Sequence, residues 1–417
     1  MNSTKSGNLN YYLPKPTKPH TLLHVPGSHT LYVGPLSCTR RHVVNAMKYA
    51  NREDISCRFI RQGDVISGRY EDLIVESIGK LNRCLAPVPH VFLIACFCID
   101  DFLGTDEGAL LERLQATYPD QQFAIQHIDP VSMDERASMG IKRGSTLYSF
   151  LKPAAEHDRG INFLGNYVSL PDDCEFRELL ASWGYGPIRE IFSLKTYEEY
   201  QTMAQSALNI VLRFMHDSSA EMMQTKLNIP YYTFYTSYDP ERIEQGYRDI
   251  AALLKVELPD LNAQREAAIA DIHETVRLLD GMVVAIDSSA SIPTFQTARA
   301  LLKYGFNLKY IFRSNRAFQI DPEDADYILK ERKDVQVTRA SAYVNLVHTD
   351  TQPECMAIGS DCARVLRASH YVDLWHDEGY FGFQGVHRLM HDIRDAFYQR
   401  TDWDRVPELK LKTKTEG

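Results

Sequence analysis

His90-Val-Phe-Leu-Ile-Ala-Cys96-Phe-Cys98-Ile-Asp-Asp-Phe-Leu-Gly104-Thr-Asp106 is the stretch on which the reading of this chain turns. The run ending at Cys98 holds about eight apolar residues, the length and composition of a strand buried in a parallel sheet. Asp100 and Asp101 then suit the first turn of a helix. A second stretch, Leu31-Tyr-Val-Gly-Pro-Leu-Ser-Cys38-Thr-Arg-Arg-His42, has the same design: an apolar run, a Gly-Pro turn and a cysteine. In open α/β sheets, ligands collect outside the carboxyl ends of strands. Helix starts favour the thiolate form that binds metal. We read Cys38 and Cys98 as iron–sulfur ligands. No Cys-x-x-Cys cassette is present, so spacing alone leaves the reading of each as a small buried hydrophobe open.

Composition bounds the rest. The 417 residues amount to about three domains. The 44% hydrophobic content supplies several cores, and the net charge of -9 argues against a nucleic-acid surface. No apolar run reaches the roughly 18 residues that span a bilayer. The opening Met-Asn-Ser-Thr-Lys-Ser-Gly is polar and carries no signal-peptide core, so a cytoplasmic protein is expected. In that compartment the eight cysteines are thiols or metal ligands rather than disulfides.

From residue 161 onward, apolar runs at 161–166, 188–193, 207–212, 229–234, 282–286, 308–312, 335–338 and 354–358 alternate with helical stretches such as 174–183, 196–205, 240–255 and 260–279. This alternation implies parallel sheets with helices on both faces. Residues 43–56 read as helical, as do 70–84. Cys57 stands in an alternating strand pattern, as packing or as a third ligand. Cys84 is expected in a core, and so are Cys174, Cys355 and Cys362. Cys96, two before Cys98, would share its strand face. His20, His24 and His29 precede the Cys38 motif, as surface residues or as a further ligand. Gly140-Ile-Lys-Arg-Gly144-Ser-Thr lacks the Gly-Lys-Ser/Thr order of a phosphate loop, so no nucleotide site is expected.

Three motifs in order, Gly34-Pro35-x-x-Cys38, Asp64-Val-Ile-Ser-Gly68-x-x-x-x-Leu73 and Cys98-x-x-x-x-Leu103-Gly104-x-Asp106, resemble those of the nitrogenase component 1 superfamily. Further similarity lies in Ile161-Asn-Phe-Leu-Gly-Asn-Tyr167, Asn228-Ile-Pro-Tyr231 and Tyr380-Phe-Gly-Phe-Gln-Gly385, so the resemblance runs roughly from residue 20 to 400. It implies an α/β fold of three Rossmann-like, doubly wound parallel-sheet domains. The expected boundaries are a polar arm at 1–20, a cluster-ligand domain at 21–165, further domains at 166–280 and 281–400, and a polar tail at 401–417.

The resemblance also implies a catalytic-component subunit of a two-component reductase. An ATP-dependent iron–sulfur reductase would deliver electrons through an oxygen-sensitive [4Fe-4S] or P-cluster-like cluster held by Cys38 and Cys98, for reduction of an unidentified low-potential substrate. The alternatives are a non-catalytic electron-relay subunit of the β type, or a scaffold on which a metal cluster or tetrapyrrole matures. The family's additional early cysteine is missing around Tyr11 and Tyr12, so two thiolates are secure where a [4Fe-4S] cluster needs four ligands. The arithmetic points to a cluster shared between subunits, in a homodimer or with a related component 1 chain.

Where the nitrogenase α subunit anchors its iron–molybdenum cofactor by a cysteine, the position here falls at or beside Leu212, and no cysteine lies between residues 175 and 354. His370 and His376 stand near the position of the family's cofactor histidine without aligning to it. The segment Trp375-His376-Asp377-Glu378-Gly379-Tyr380 corresponds to one that borders the cofactor cavity in the family, making His376 a weak candidate proton donor.

Overall fold

A computed structural model of the chain describes residues 24–48, 52–128, 146–314, 316–339 and 354–401. The expected arm at 1–20, His20, the Gly140–Gly144 loop and residues 402–417 of the tail lie outside them.

Three sheets form, and all their strand pairs are parallel. The first holds β1 (Ser28–Gly34), β2 (Ile55–Phe59), β3 (Val91–Phe97) and β4 (Gln122–Ile128) in the order β2-β1-β3-β4. The second holds β5 (Ile161–Leu164), β6 (Ile188–Glu190), β7 (Leu208–Val211) and β8 (Tyr231–Thr233) in the order β6-β5-β7-β8. The third holds β9 (Val283–Asp287), β10 (Asn307–Arg313), β11 (Gln336–Arg339), β12 (Cys355–Ile358) and β13 (His370–Val372) in the order β11-β10-β9-β12-β13. Each order reverses once beside the first strand of its sheet, which makes each sheet doubly wound. Every residue of β3 is buried, as its unbroken apolar run requires of an internal parallel strand.

The described residues divide into two compact units, one of 24–167 and 184–234 and the other of 168–183 and 235–401. The former contains the first two sheets, joined by one core in which Val91 and Leu93 of β3 pack with Leu164 of β5 and Val211 of β7. The latter contains the third sheet. There the helix Glu175–Ser182 meets the start of the helix Gly382–Phe397, where Glu175 accepts hydrogen bonds from the Phe383 and Gln384 amides and from the Tyr247 hydroxyl.

Several local expectations change. The helix placed at 43–56 runs instead over Leu36–Lys48, and Ile55 already begins β2. Its early start follows from Pro35, whose carbonyl accepts from the Cys38 and Thr39 amides. Cys84 is exposed rather than in a core, because the buried stripe of the helix Tyr70–Cys84 ends at Ile78. Cys98 does not share a strand face with Cys96: β3 stops at Phe97, and Cys98 opens the helix Cys98–Leu103. The strands β4 and β13, absent from the sequence reading, complete the first and third sheets.

Candidate functional site

In the first sheet the strand order reverses between β1 and β3. Thr30 to Val33 of β1 stand level with Leu93 to Cys96 of β3, which places Gly34 beside Phe97 at the carboxyl edge. Cys38 leaves that edge in the first turn of Leu36–Lys48, and Cys98 leaves it as the first residue of Cys98–Leu103. The two sequence-predicted ligands therefore flank the crevice where α/β sheets of this kind receive ligands. Both are half-buried and neither is in a disulfide.

The motifs around them are explained by local geometry. A Cβ on Gly34 would stand 2.6 Å from Cδ2 of Phe97, so the glycine lets the two strand ends close together. Gly104, at φ 63°, ends the helix Cys98–Leu103 in the left-handed conformation. Asp106 then caps the next helix, Glu107–Thr117, by accepting from the Ala109 amide at 3.0 Å. The Leu-Gly-x-Asp spacing is thus one helix stop followed by one helix start, and it fixes the Cys98 turn. Asp64 does similar work in the helix Gln62–Ile66, accepting from the Arg61 amide.

Cys38 and Cys57 both pack against the cluster of Tyr32, Ala95 and Phe97. The His42 ring stacks on Tyr32 at 4.6 Å between centroids. Burial pushes the thiols of Cys57 and Cys96 up. It pushes Cys174 and Cys355 up to about 12, and Cys362 far up. The last three are fully buried, as core packing requires. His29 sits at the amino end of β1, buried and bonded to Ser56 Oγ at 2.8 Å, with its pKa lowered by burial to about 4. That position is at the opposite end of β1 from Cys38.

On the segments that carry the two cysteines and on the neighbouring strand end, several large apolar side chains are exposed. Leu36, Phe59, Phe102 and Leu103 are exposed by 64%, 45%, 80% and 38%, and all stand on segments that leave the same edge of the first sheet.

The second sheet reverses between β5 and β7. Here the Leu212 amide donates to the Leu164 carbonyl, and the Arg213 guanidinium lies 4.8 Å from the Tyr167 ring centroid. His216 is fully buried, and burial followed by the Arg213 charge lowers its pKa to about 3. This edge carries a cation and a neutral imidazole. It has no thiol with which to anchor an iron–molybdenum cofactor, so the residues here do not fit that group.

His376 lies in the other unit, at the carboxyl edge of the third sheet. Its amide donates to the Ser289 carbonyl at 2.8 Å, and its ring is 4.1 Å from that of Trp375. Asp377 accepts from the Tyr238 hydroxyl, the Ser291 hydroxyl and the Ile292 amide. At the reversal between β9 and β12, the Asp287 carboxylate accepts from the amides of Ser289, Ala290 and Cys362.

Among the described residues, one group was missed in the sequence: Asp100, Glu107 and His127 offer donor atoms within 4.8 Å of one another. Seven and twenty residues apart, they form no recognisable cassette. Only the pairing of β3 with β4, which sets His127 level with Cys96, brings them together.

The fold is that of a doubly wound α/β protein of three parallel sheets, with Cys38 and Cys98 on the segments that leave the switch point of the first. The chain belongs to the nitrogenase component 1 type oxidoreductases, a family that matches residues 20–398. No curated protein matches it. Among solved structures, a chain from "Nitrogenase Cp1 at pH 6.5" is similar with a TM-score of 0.67 at 14% identity, covering 100% of this chain and 99% of that one. A chain from "Nitrogenase Cp1 at pH 5" is similar with a TM-score of 0.59 at 14% identity, over 90% of this chain and 85% of that one. No helix among the described residues is long and apolar enough to cross a membrane.

Proposed function

We propose that this chain is a cytoplasmic subunit of the catalytic component of a two-component reductase, and that Cys38 and Cys98 supply thiolates to a [4Fe-4S] or P-cluster-like cluster. One observation carries the reading: the two cysteines leave neighbouring strands, β1 and β3, at the point where the first sheet reverses. The cluster supplies one-electron transfer when bound. The chain's own part is to hold two thiols at fixed strand ends, with Gly34, Gly104 and Asp106 setting the turns.

Two thiolates leave the cluster half-liganded. The exposed apolar side chains of Leu36, Phe59, Phe102 and Leu103 suit a buried contact with a second copy or a related component 1 chain, which supplies the rest. An ATP-dependent iron–sulfur reductase delivers the electrons. By the family resemblance the thiolate that anchors a molybdenum-type cofactor falls at or beside Leu212, where this chain has no cysteine, so on this reading the substrate is reduced without such a cofactor anchored here. That same observation favours a second reading, an electron-relay subunit whose partner holds the reaction site.

Anaerobic purification followed by iron and sulfide analysis tests the assignment. Wild-type protein contains both, Cys38→Ala and Cys98→Ala lose most of both, and Cys174→Ala and Cys355→Ala retain them. Full iron in both ligand variants refutes it.

A further inference from the structure

We propose that Asp100, Glu107 and His127 form a site for one divalent first-row transition-metal ion, separate from the thiol pair. The three come from three elements that meet above the end of the first sheet: the helix Cys98–Leu103, the first residue of the helix Glu107–Thr117, and the penultimate residue of β4. Their donor atoms lie within 4.8 Å of one another. Donors about 2 Å from a metal ion lie about 3 to 4 Å apart, so side-chain shifts of about 1 Å or less complete the site.

A second observation points to a ligand. Asp100 is 2% exposed; the Tyr70 and Thr105 hydroxyls face its carboxylate, and its Oδ1 makes no hydrogen bond of normal geometry. A buried carboxylate oxygen left without a well-formed hydrogen bond is costly, and a cation offsets that cost. His127 bonds Glu107 Oε1 through Nε2 at 2.7 Å, while its Nδ1 stands 3.5 Å from Asp101 Oδ1. An ion entering between imidazole and carboxylate replaces the first of these contacts.

The donor set selects the metal class. One imidazole and two carboxylates suit Mn2+, Fe2+ or Zn2+. Ca2+ and Mg2+ prefer oxygen alone, and softer ions prefer sulfur. Three protein donors leave further positions for water. Such an ion ties the helix that begins at Cys98 to the end of β4, so that the turn carrying one proposed cluster thiol is cross-linked to the sheet.

The test uses full-length protein stripped with chelator and titrated with Mn2+, followed by the free-ion electron paramagnetic resonance signal. Wild type takes up one Mn2+ per chain, and echo-modulation spectra show nitrogen coupling from the imidazole. Glu107→Gln and Asp100→Asn weaken binding at least tenfold. His127→Gln does so and also abolishes the nitrogen coupling, while Glu112→Gln, on the exposed face of the same helix, binds as wild type. Melting in chelator confirms that each variant folds, and added Mn2+ raises the melting temperature of wild type and of Glu112→Gln only. Wild-type binding weaker than millimolar, unchanged affinity in the three variants, or bound Mn2+ without nitrogen coupling overturns the site. The double variant Cys38→Ala/Cys98→Ala still binds Mn2+, which separates this result from the fate of the cluster assignment.

Discussion

Phe97 occupies the space that a side chain at Gly34 would need: a Cβ there would meet the ring at 2.6 Å. The contact joins the ends of β1 and β3 one residue before Cys98 and four before Cys38. The Gly-Pro motif is therefore a packing requirement as much as a turn signal.

Gly34→Ala should accordingly move the strand ends apart. Overpacking of this kind costs about 1–3 kcal/mol. Urea titration should show that loss, and anaerobically purified variant should carry less iron per chain than wild type although both cysteines remain. Wild-type stability would show that the Phe97 ring moves aside freely.

The reversal point of the third sheet is the usual place for a nucleotide in a fold of this order, yet Asp287 takes the amides that would receive a phosphate. Burial also raises its pKa, with the Asp361 charge adding to the shift. The isolated chain should not bind ATP, as equilibrium dialysis can check. Asp287→Ala orphans the amides of Ser289, Ala290 and Cys362 and should cost on the order of 2–4 kcal/mol without creating ATP affinity. Tight ATP binding by the wild-type chain would contradict this reading.

Asp321 gives a pH signature. It is 6% exposed, and burial lifts its pKa to about 7, against the opposing hydrogen bond from the Gln296 amide. An acid whose folded pKa is raised binds its proton more tightly when folded, so stability falls as pH rises from the unfolded value near 4. The fall ends near the folded value of about 7. The upper bound for this one group is about 4 kcal/mol. Asp321→Asn keeps an oxygen for the Gln296 amide and should flatten that part of the profile. Chemical denaturation at pH 4.5 and 7.5 for both proteins measures it.

Sequence pattern revealed the strands whose runs are continuously apolar. The eight runs from 161 to 358 became β5 to β12, most plainly for β5, β7 and β12, whose residues are all buried. β4 escaped notice because Gln122, Gln126 and His127 interrupt a half-buried strand, and β13 because His370-Tyr-Val372 stands in no longer apolar run. The location of Cys38 and Cys98 just beyond strand ends was legible because each follows such a run. The Asp100–Glu107–His127 group was not, since strand register and not spacing assembles it. The exposure of Cys84 was hidden because helix period cannot tell where the sheet beneath a helix ends.

His376 and Asp377 have φ of 50° and 60°, consecutive left-handed residues without a glycine. Their amides donate to the carbonyls of Ser289 and Ala290, which holds the segment in that conformation. Such strain, of order 1 kcal/mol or more per residue, persists where the surroundings over-determine it, and it gathers at functional sites. His376→Asn keeps a residue that tolerates the left-handed region but removes the imidazole, whereas His376→Ala removes both features. If the imidazole delivers protons, both variants should slow turnover at least tenfold with the cluster spectrum unchanged. If His376 only shapes the segment, His376→Asn should turn over as wild type while His376→Ala loses about 1 kcal/mol of stability. Asp377→Asn is the structural control. It weakens the acceptor for Tyr238, Ser291 and Ile292 and should lower the melting temperature whichever role His376 has. Normal turnover in both His376 variants would remove that residue from the reaction.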